Sequence, residues 1–265
     1  MTPAELTDAE IAEIAQDLRA RGETFAIATV IRAVGSTAAK PGAKALLAAD
    51  GTILSGWIGG GCVRGALKAA MGRAVETGAP ELVCLRPQDV LEETGMTAGV
   101  EVEGARFARN GCPSRGSLDV FLEPVRPLPE LLVFGASPVA RALLRLAQNF
   151  QWSIVHHETA QASPRTNGKR MIVIATQGQG DLDCLRAALA ADSDFVAFVG
   201  SRRKYAALSD KLRAEGVEEE VLTAVHAPAG LHIDAVTPEE IALSILAQLT
   251  RERRRNLRAQ EVSHG

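Results

Sequence analysis

The sequence is poor in aromatic residues, which make up 4% of its 265 positions. It also lacks a basic stripe interleaved with rings, and its formal net charge is only -3. Single-strand nucleic-acid binding needs stacking platforms in a cationic groove, so the composition argues against that class. A near-neutral chain has no global field to draw it to nucleic acid or acidic lipid. No apolar run reaches the length of a membrane span. The four cysteines, Cys62, Cys84, Cys112 and Cys184, include no CxxC pair, so a zinc ribbon or thioredoxin-type motif is absent. The opening "MTPAELTDAE" is acidic and cap-forming rather than basic and apolar, so a cytoplasmic protein with reduced thiols is expected. No internal repeat is evident.

What is present is a 46% hydrophobic chain able to bury a core without disulfides. An amphipathic helix opens it, with Thr2, Pro3 and Glu5 as N-cap, N1 and N3, with Ile11, Ile14 and Leu18 on one face, and with Gly22 as its stop. "TFAIATVIRAV" is strand-like, and "AKALLAADGTILSGWIG" predicts a hairpin turning at Asp50-Gly51. A helix from Cys62 to about Thr77 ends at Gly78. "ELVCLRP" and "SLDVFLEPV" are further strands, whereas 88–117 follows no clear period.

"RPLPE", 126–130, reads as a linker between a domain at 1–125 and another at 131–265. In the second half four short apolar strands alternate with helices, the pattern of a doubly wound parallel sheet. The last helix starts with a capping box, Thr237 and Glu240, and runs into "RERRRNLR", read as its solvated end, with a partner-protein contact as the alternative.

Chemistry concentrates in a few stretches. "GWIGGGCVRG", 56–65, places Cys62 at the start of a helix behind Gly59, Gly60 and Gly61. A helix N-terminus offers free amides and positive potential, which favour a thiolate over a thiol of ordinary pKa ~8.5. Arg64 adds to this if it faces the same way. The alternative is a tight turn with a buried, inert cysteine. Gly35, Ser36 and Thr37 form a hydroxyl-rich loop suited to a phosphate or polar heterocycle, or simply an ordinary loop.

"GASPVA" keeps Gly135 and Ala140 of the dinucleotide fingerprint, but Ser137 and Pro138 stand where a glycine and an amide donor belong. NAD(P) is therefore not expected, although Glu158 sits where a ribose-binding acid would. Ser201 and Arg202 head a helix and read either as a phosphate contact or as a solvated start. His156 and His157 alternate across a strand and read as structural. Cys112, in "NGCPSRG", is a second thiol candidate, while Cys84 and Cys184 lie on core-like faces.

"GSTAAKPGAKALLAADGTILSGWIGGGCVRG" resembles the N-terminal domain of the XdhC/CoxI family. "LLVFGASPVARALLRLA", "VGSRRKYAAL" and "APAGLHIDAVTPEEIALSILAQL" resemble its C-terminal Rossmann domain. The resemblance runs from about Phe25 to Leu249. It implies an α/β architecture with a mixed first domain and a Rossmann-like second. It also implies an accessory protein rather than a turnover enzyme, one that binds the molybdenum–pterin cofactor, supports its sulfuration and helps insert it into the large subunit of a molybdenum hydroxylase. The family's cysteine maps onto Cys62 and its hydroxyl loop onto Ser36 and Thr37.

The sequence departs from the family at Arg64, at Cys112-Pro113-Ser114, at Gly135-Ala136-Ser137-Pro138 and at His156-His157-Glu158. These departures leave room for a CoxF-like subtype serving carbon monoxide dehydrogenase. Cys62 could ligate molybdenum, ligate cuprous copper together with Cys112, or carry sulfur as a persulfide. Whether the cofactor bears a cytosine nucleotide stays open, as do a sulfur-donor partner and two alternatives: a nicotinamide-dependent oxidoreductase and a cuprous-ion delivery protein. A homodimer is expected, because glycine-rich loops on a small domain gain definition from a partner surface.

Overall fold

The computed structural model describes residues 3–161 and 168–262. The chain divides between Pro127 and Leu128. The first unit contains α1 (Pro3–Ala20), β1 (Phe25–Val34), β2 (Lys44–Ala48), β3 (Ile53–Gly56), α2 (Gly61–Thr77), β4 (Glu81–Arg86), α3 (Gln88–Glu93), β5 (Glu101–Val102), β6 (Ala105–Arg109) and β7 (Ser117–Val125). Its strands form one mixed sheet in the order β3-β2-β1-β7-β4-β6-β5.

The hairpin of β2 and β3 turns at Asp50-Gly51, where Gly51 has φ +82° and the Asp50 carboxylate accepts from the amide and hydroxyl of Thr52. Gly78 closes α2 in a left-handed conformation, its amide donating to the Ala74 carbonyl. One face of the sheet buries Ala26, Ala28 and Val30 of β1 with Val120 and Leu122 of β7 under the Val63, Leu67, Ala70, Met71 and Ala74 stripe of α2. Leu67 and Met71 are each worth about 1.5–3 kcal/mol of transfer free energy there. On the other face Ile11, Ala15 and Leu18 of α1 cover Phe25 and Leu46, with Ile14 half-buried beside them. The N-cap role of Thr2 lies outside the described residues.

The second unit contains β8 (Glu130–Phe134), α4 (Pro138–Ala147), β9 (Ser153–His157), β10 (Arg170–Ile174), α5 (Asp181–Ala190), β11 (Phe195–Phe198), α6 (Arg202–Ala214), α7 (Glu219–Thr223) and α8 (Pro238–Val262). Glu130, inside the stretch read as a linker, is already the first residue of β8. All pairings are parallel, in the order β11-β10-β8-β9. Period-two alternation sends Leu131, Val133, Met171 and Val173 toward α4 and α8, and Leu132, Phe134, Ile172 and Ile174 toward α5 and α6. This is a doubly wound, Rossmann-like sheet.

The capping box of α8 is formed, with the Glu240 carboxylate accepting the Thr237 amide at 2.8 Å and Thr237 Oγ1 accepting the Glu240 amide at 3.3 Å. Its arginine run is not uniformly solvated: the Arg253 guanidinium lies over the Trp152 ring, 4.7 Å from its centroid. No helix among the described residues is long and apolar enough to cross a membrane.

Candidate functional site

The strand directions of the first unit bring its chemistry to one end of the sheet. β1, β3, β4 and β6 all run the same way, since β2 and β7 are antiparallel to their neighbours. Their C-terminal ends therefore lie together with the start of β7 and the first turn of α2. The stretches leaving these ends carry Ser36 and Thr37, Trp57 to Cys62, and Asn110 to Gly116.

Cys62 is exposed at the second residue of α2. The N-cap, Gly60, supplies no side chain and no acid lies in the first turn, so neither competes for the amides there. Gly59 needs its left-handed φ of +124°, and a β-carbon on it would press on Val63 at 3.0 Å. Gly60 and Gly61 are different: a β-carbon on either would meet nothing within 4 Å among the described residues. Packing does not demand glycine at these two positions, and leaving them bare lets a ligand approach the backbone. Arg64 is exposed and two residues beyond Cys62, hence around the helix from it.

The structure brings the second thiol loop to the first. The Cys62 sulfur lies 3.6 Å from where a β-carbon of Gly111 would stand, and Cys112 is the next residue. Asn110, buried, holds this loop: its Nδ2 donates to the Gly116 carbonyl at 2.6 Å and its Oδ1 accepts the Cys112 amide at 3.1 Å. Sequence reasoning missed Asn110, although the Asn-Gly dipeptide was a turn signal.

The hydroxyl loop joins the same turn. Ser36 bridges to Arg115, Gly116 packs against the Ser36 backbone, and Thr37 Oγ1 donates to the Ala39 carbonyl at 2.9 Å. Gly35, with φ +75°, lies beside Gly116. Arg115 pairs with Asp89 of α3. The Ser114 hydroxyl donates to Cys112 Sγ at 3.2 Å and, with the Ser114 amide, holds that thiol below its usual range. Burial does the reverse to Cys84 and Cys184, whose thiols are pushed up with help from nearby aspartates. Both are buried, in contrast to Cys62 and Cys112. Among the described residues no group of three or more His, Cys, Asp or Glu is placed to hold a metal ion.

In the second unit a cavity of about 700 Å³ opens where the chain leaves β8 and β10 on opposite faces, walled by Ser137, Arg141, Glu158, Thr176, Gln179 and Asp183. That is the crevice in which open α/β sheets take ligands. Gly135 is obligatory at φ +102°, because a β-carbon would strike the Ala175 carbonyl oxygen at 2.5 Å. His156 Nε2 donates to the Gly135 carbonyl at 2.9 Å. Ser137 does more than add bulk: its hydroxyl caps α4 by accepting the Ala140 amide at 3.1 Å. Pro138, at the first helical position, has no amide to give. Two donors of that helix end are therefore already spent or missing.

Ser201 caps α6 in the same way through the Lys204 amide, and Arg202 is an exposed first-turn residue; both stand outside the walls of this cavity. Behind the cavity, buried Asp181 accepts from Thr176 Oγ1 and the Gly178 amide and pairs with Lys204 at 2.6 Å.

The profile of the XdhC and CoxI family matches residues 18–86, and that of the XdhC Rossmann domain matches residues 131–249. The chain belongs to the XdhC/CoxI family. The uncharacterized protein YqeB of Escherichia coli (strain K12) is 29% identical over 254 residues, covering 85% of this chain and 43% of its own length. This chain thus spans less than half of that curated relative. A solved structure described as a xanthine dehydrogenase from Bacillus halodurans aligns over 92% of this chain and 96% of its own, at 20% identity and a TM-score of 0.39.

Proposed function

We propose that this protein is a maturation factor that binds the molybdenum–pterin cofactor, supports its sulfuration or metal completion, and helps insert it into a molybdenum hydroxylase such as xanthine dehydrogenase or carbon monoxide dehydrogenase. The observation that carries this reading is an exposed Cys62 on an uncapped helix start behind two glycines that packing does not require. The residues fit the group. A pterin cofactor presents an anionic phosphate ester, two soft sulfurs and a metal. The free amides of α2 suit the phosphate, and the Cys62 sulfur suits a soft metal or a transferable sulfur atom. The cofactor, when bound, supplies the molybdenum and dithiolene chemistry that the client enzyme uses. This chain grips, shields and releases it, with Ser36, Thr37 and the Asn110-clamped turn forming the flank.

The client's large subunit, a sulfur donor, a cytoplasmic setting and a homodimer belong to the same reading. The experiment is cofactor transfer: protein loaded with the cofactor is mixed with apo-hydroxylase and activation is followed. Cys62→Ser is expected to abolish activation while leaving the fold intact. Full activation by that variant overturns the reading.

The nearness of Cys62 to Gly111 favours a second reading, cuprous-ion delivery by Cys62 and Cys112 together. It requires both single serine variants to lose the ion in a cuprous titration, whereas the first reading depends on Cys62 alone.

A further inference from the structure

Two exposed thiols lie on stretches that the fold brings close together. We propose that Cys62 and Cys112 close a reversible intrachain disulfide when the protein meets a mild peroxide. The Cys62 sulfur stands 3.6 Å from the position of a β-carbon at Gly111, and Gly111, having none, leaves the path across it open. Cys112 follows one peptide later, about 3.8 Å along the chain. A disulfide needs α-carbons about 4.4–6.8 Å apart, and the movement required is that of the exposed turn carrying Cys112 toward Cys62. Residues 111 to 115 are all exposed, and the buried Asn110 carboxamide at the Cys112 amide is the tether about which they turn.

Cys112 lies on the exposed turn, its Sγ accepting the Ser114 hydroxyl, and peroxide reaches it from solvent. The Cys112 sulfur attacks one peroxide oxygen; the O–O bond breaks, hydroxide leaves with the thiol proton as water and Cys112 becomes a sulfenic acid. The Cys62 sulfur then attacks the sulfenic sulfur. The S–S bond forms as the S–O bond breaks, and the Cys62 proton leaves with the departing hydroxide as water. Two thiols and one hydrogen peroxide give one disulfide and two waters. Cys84 and Cys184 are buried and stay reduced, so they serve as internal references. The bridge withdraws Cys62 from any ligand until a thiol reductant restores it.

The test uses the full chain and no cofactor, so its outcome is separate from that of the maturation reading. After one equivalent of hydrogen peroxide and denaturation, the thiol count is expected to fall from four to two. A non-reducing peptide map is expected to show one intrachain link between Cys62 and Cys112, and dithiothreitol to restore all four thiols. In Cys62→Ser, a sulfenic acid trapped on Cys112 by dimedone is expected instead. Survival of all four thiols, a link between chains, or a stable Cys112 sulfenic acid in the unsubstituted protein would overturn the proposal.

Discussion

Asn110 Nδ2 donates to the Gly116 carbonyl oxygen at 2.6 Å, closing from inside a turn whose outer residues are solvent-exposed. The other end of the same carboxamide accepts the Cys112 amide. Removing it orphans a carbonyl and an amide together, at a cost of about 1–3 kcal/mol. Asn110→Ala is therefore expected to lower the urea midpoint and to speed hydrogen exchange at the Cys112 amide. Unchanged exchange there would show that the turn is held by something else.

Gly61 and Gly116 invite opposite outcomes from the same substitution. A methyl on Gly116 would meet Thr37 Cγ2 at 2.4 Å and the Ser36 carbonyl oxygen at 2.5 Å. Gly116→Ala is expected to cost about 1–3 kcal/mol and to displace the hydroxyl loop. A methyl on Gly61 meets nothing, and alanine is the better helix residue, so Gly61→Ala is expected to stabilise by about 0.4–1 kcal/mol. If the bare backbone there serves a ligand, the stabilised variant takes up less cofactor. A variant both more stable and fully competent would assign Gly61 no part in binding.

Much of this architecture is legible in the sequence because it is local. Asp50-Gly51 dictates its turn, Gly78 its helix end, and the alternating apolar runs after Leu131 their two-sided sheet. The 88–117 stretch resisted because its order is non-local. β6 is a short strand whose charges at Arg106 and Arg109 obscure the alternation, and it pairs in parallel with β4 across an intervening helix. β7 inserts between β1 and β4, although it is last in the chain of the first unit. The approach of Gly111 to Cys62 depends on that long-range order, so no spacing rule could reveal it. Cys62 was legible because a glycine run before a helix start is a local signal.

Asp181 makes the second unit sensitive to acid. Burial alone would raise its carboxyl, but the Lys204 ammonium, the Thr176 hydroxyl and the Gly178 amide outweigh burial and hold it below the usual value. Between its folded and unfolded values the unfolded chain binds the extra proton, so stability rises with pH in that window. The contribution is complete above about pH 4 and is lost as pH falls through the depressed folded value. Asp181→Asn is expected to cost roughly 1–2 kcal/mol at pH 7, discounted because Lys204 is partly exposed. Its urea midpoint should converge on that of the unsubstituted protein toward pH 2. A gap that persists undiminished in acid would show that packing, not charge, sets the effect.

The turn after β8 decides what the second unit can hold. A pyrophosphate on a helix start depends on free amides of the first turn. In α4 the Pro138 donor is missing and the Ala140 donor is occupied by the Ser137 hydroxyl at 3.1 Å. Titration with NAD(H) or NADP(H) is accordingly expected to give no saturable signal at submillimolar concentration. Ser137→Gly with Pro138→Ala returns both donors and is expected to bring nucleotide binding into that range, or to improve it at least tenfold, since two hydrogen bonds to a charged phosphate exceed about 1.4 kcal/mol. Ser137→Gly alone also loses a cap worth only a few tenths of a kcal/mol, so the fold survives to be tested. Tight binding of a nicotinamide dinucleotide to the unsubstituted chain would revive the oxidoreductase reading and make the Glu158 carboxylate, on the wall of the same cavity, the first residue to examine.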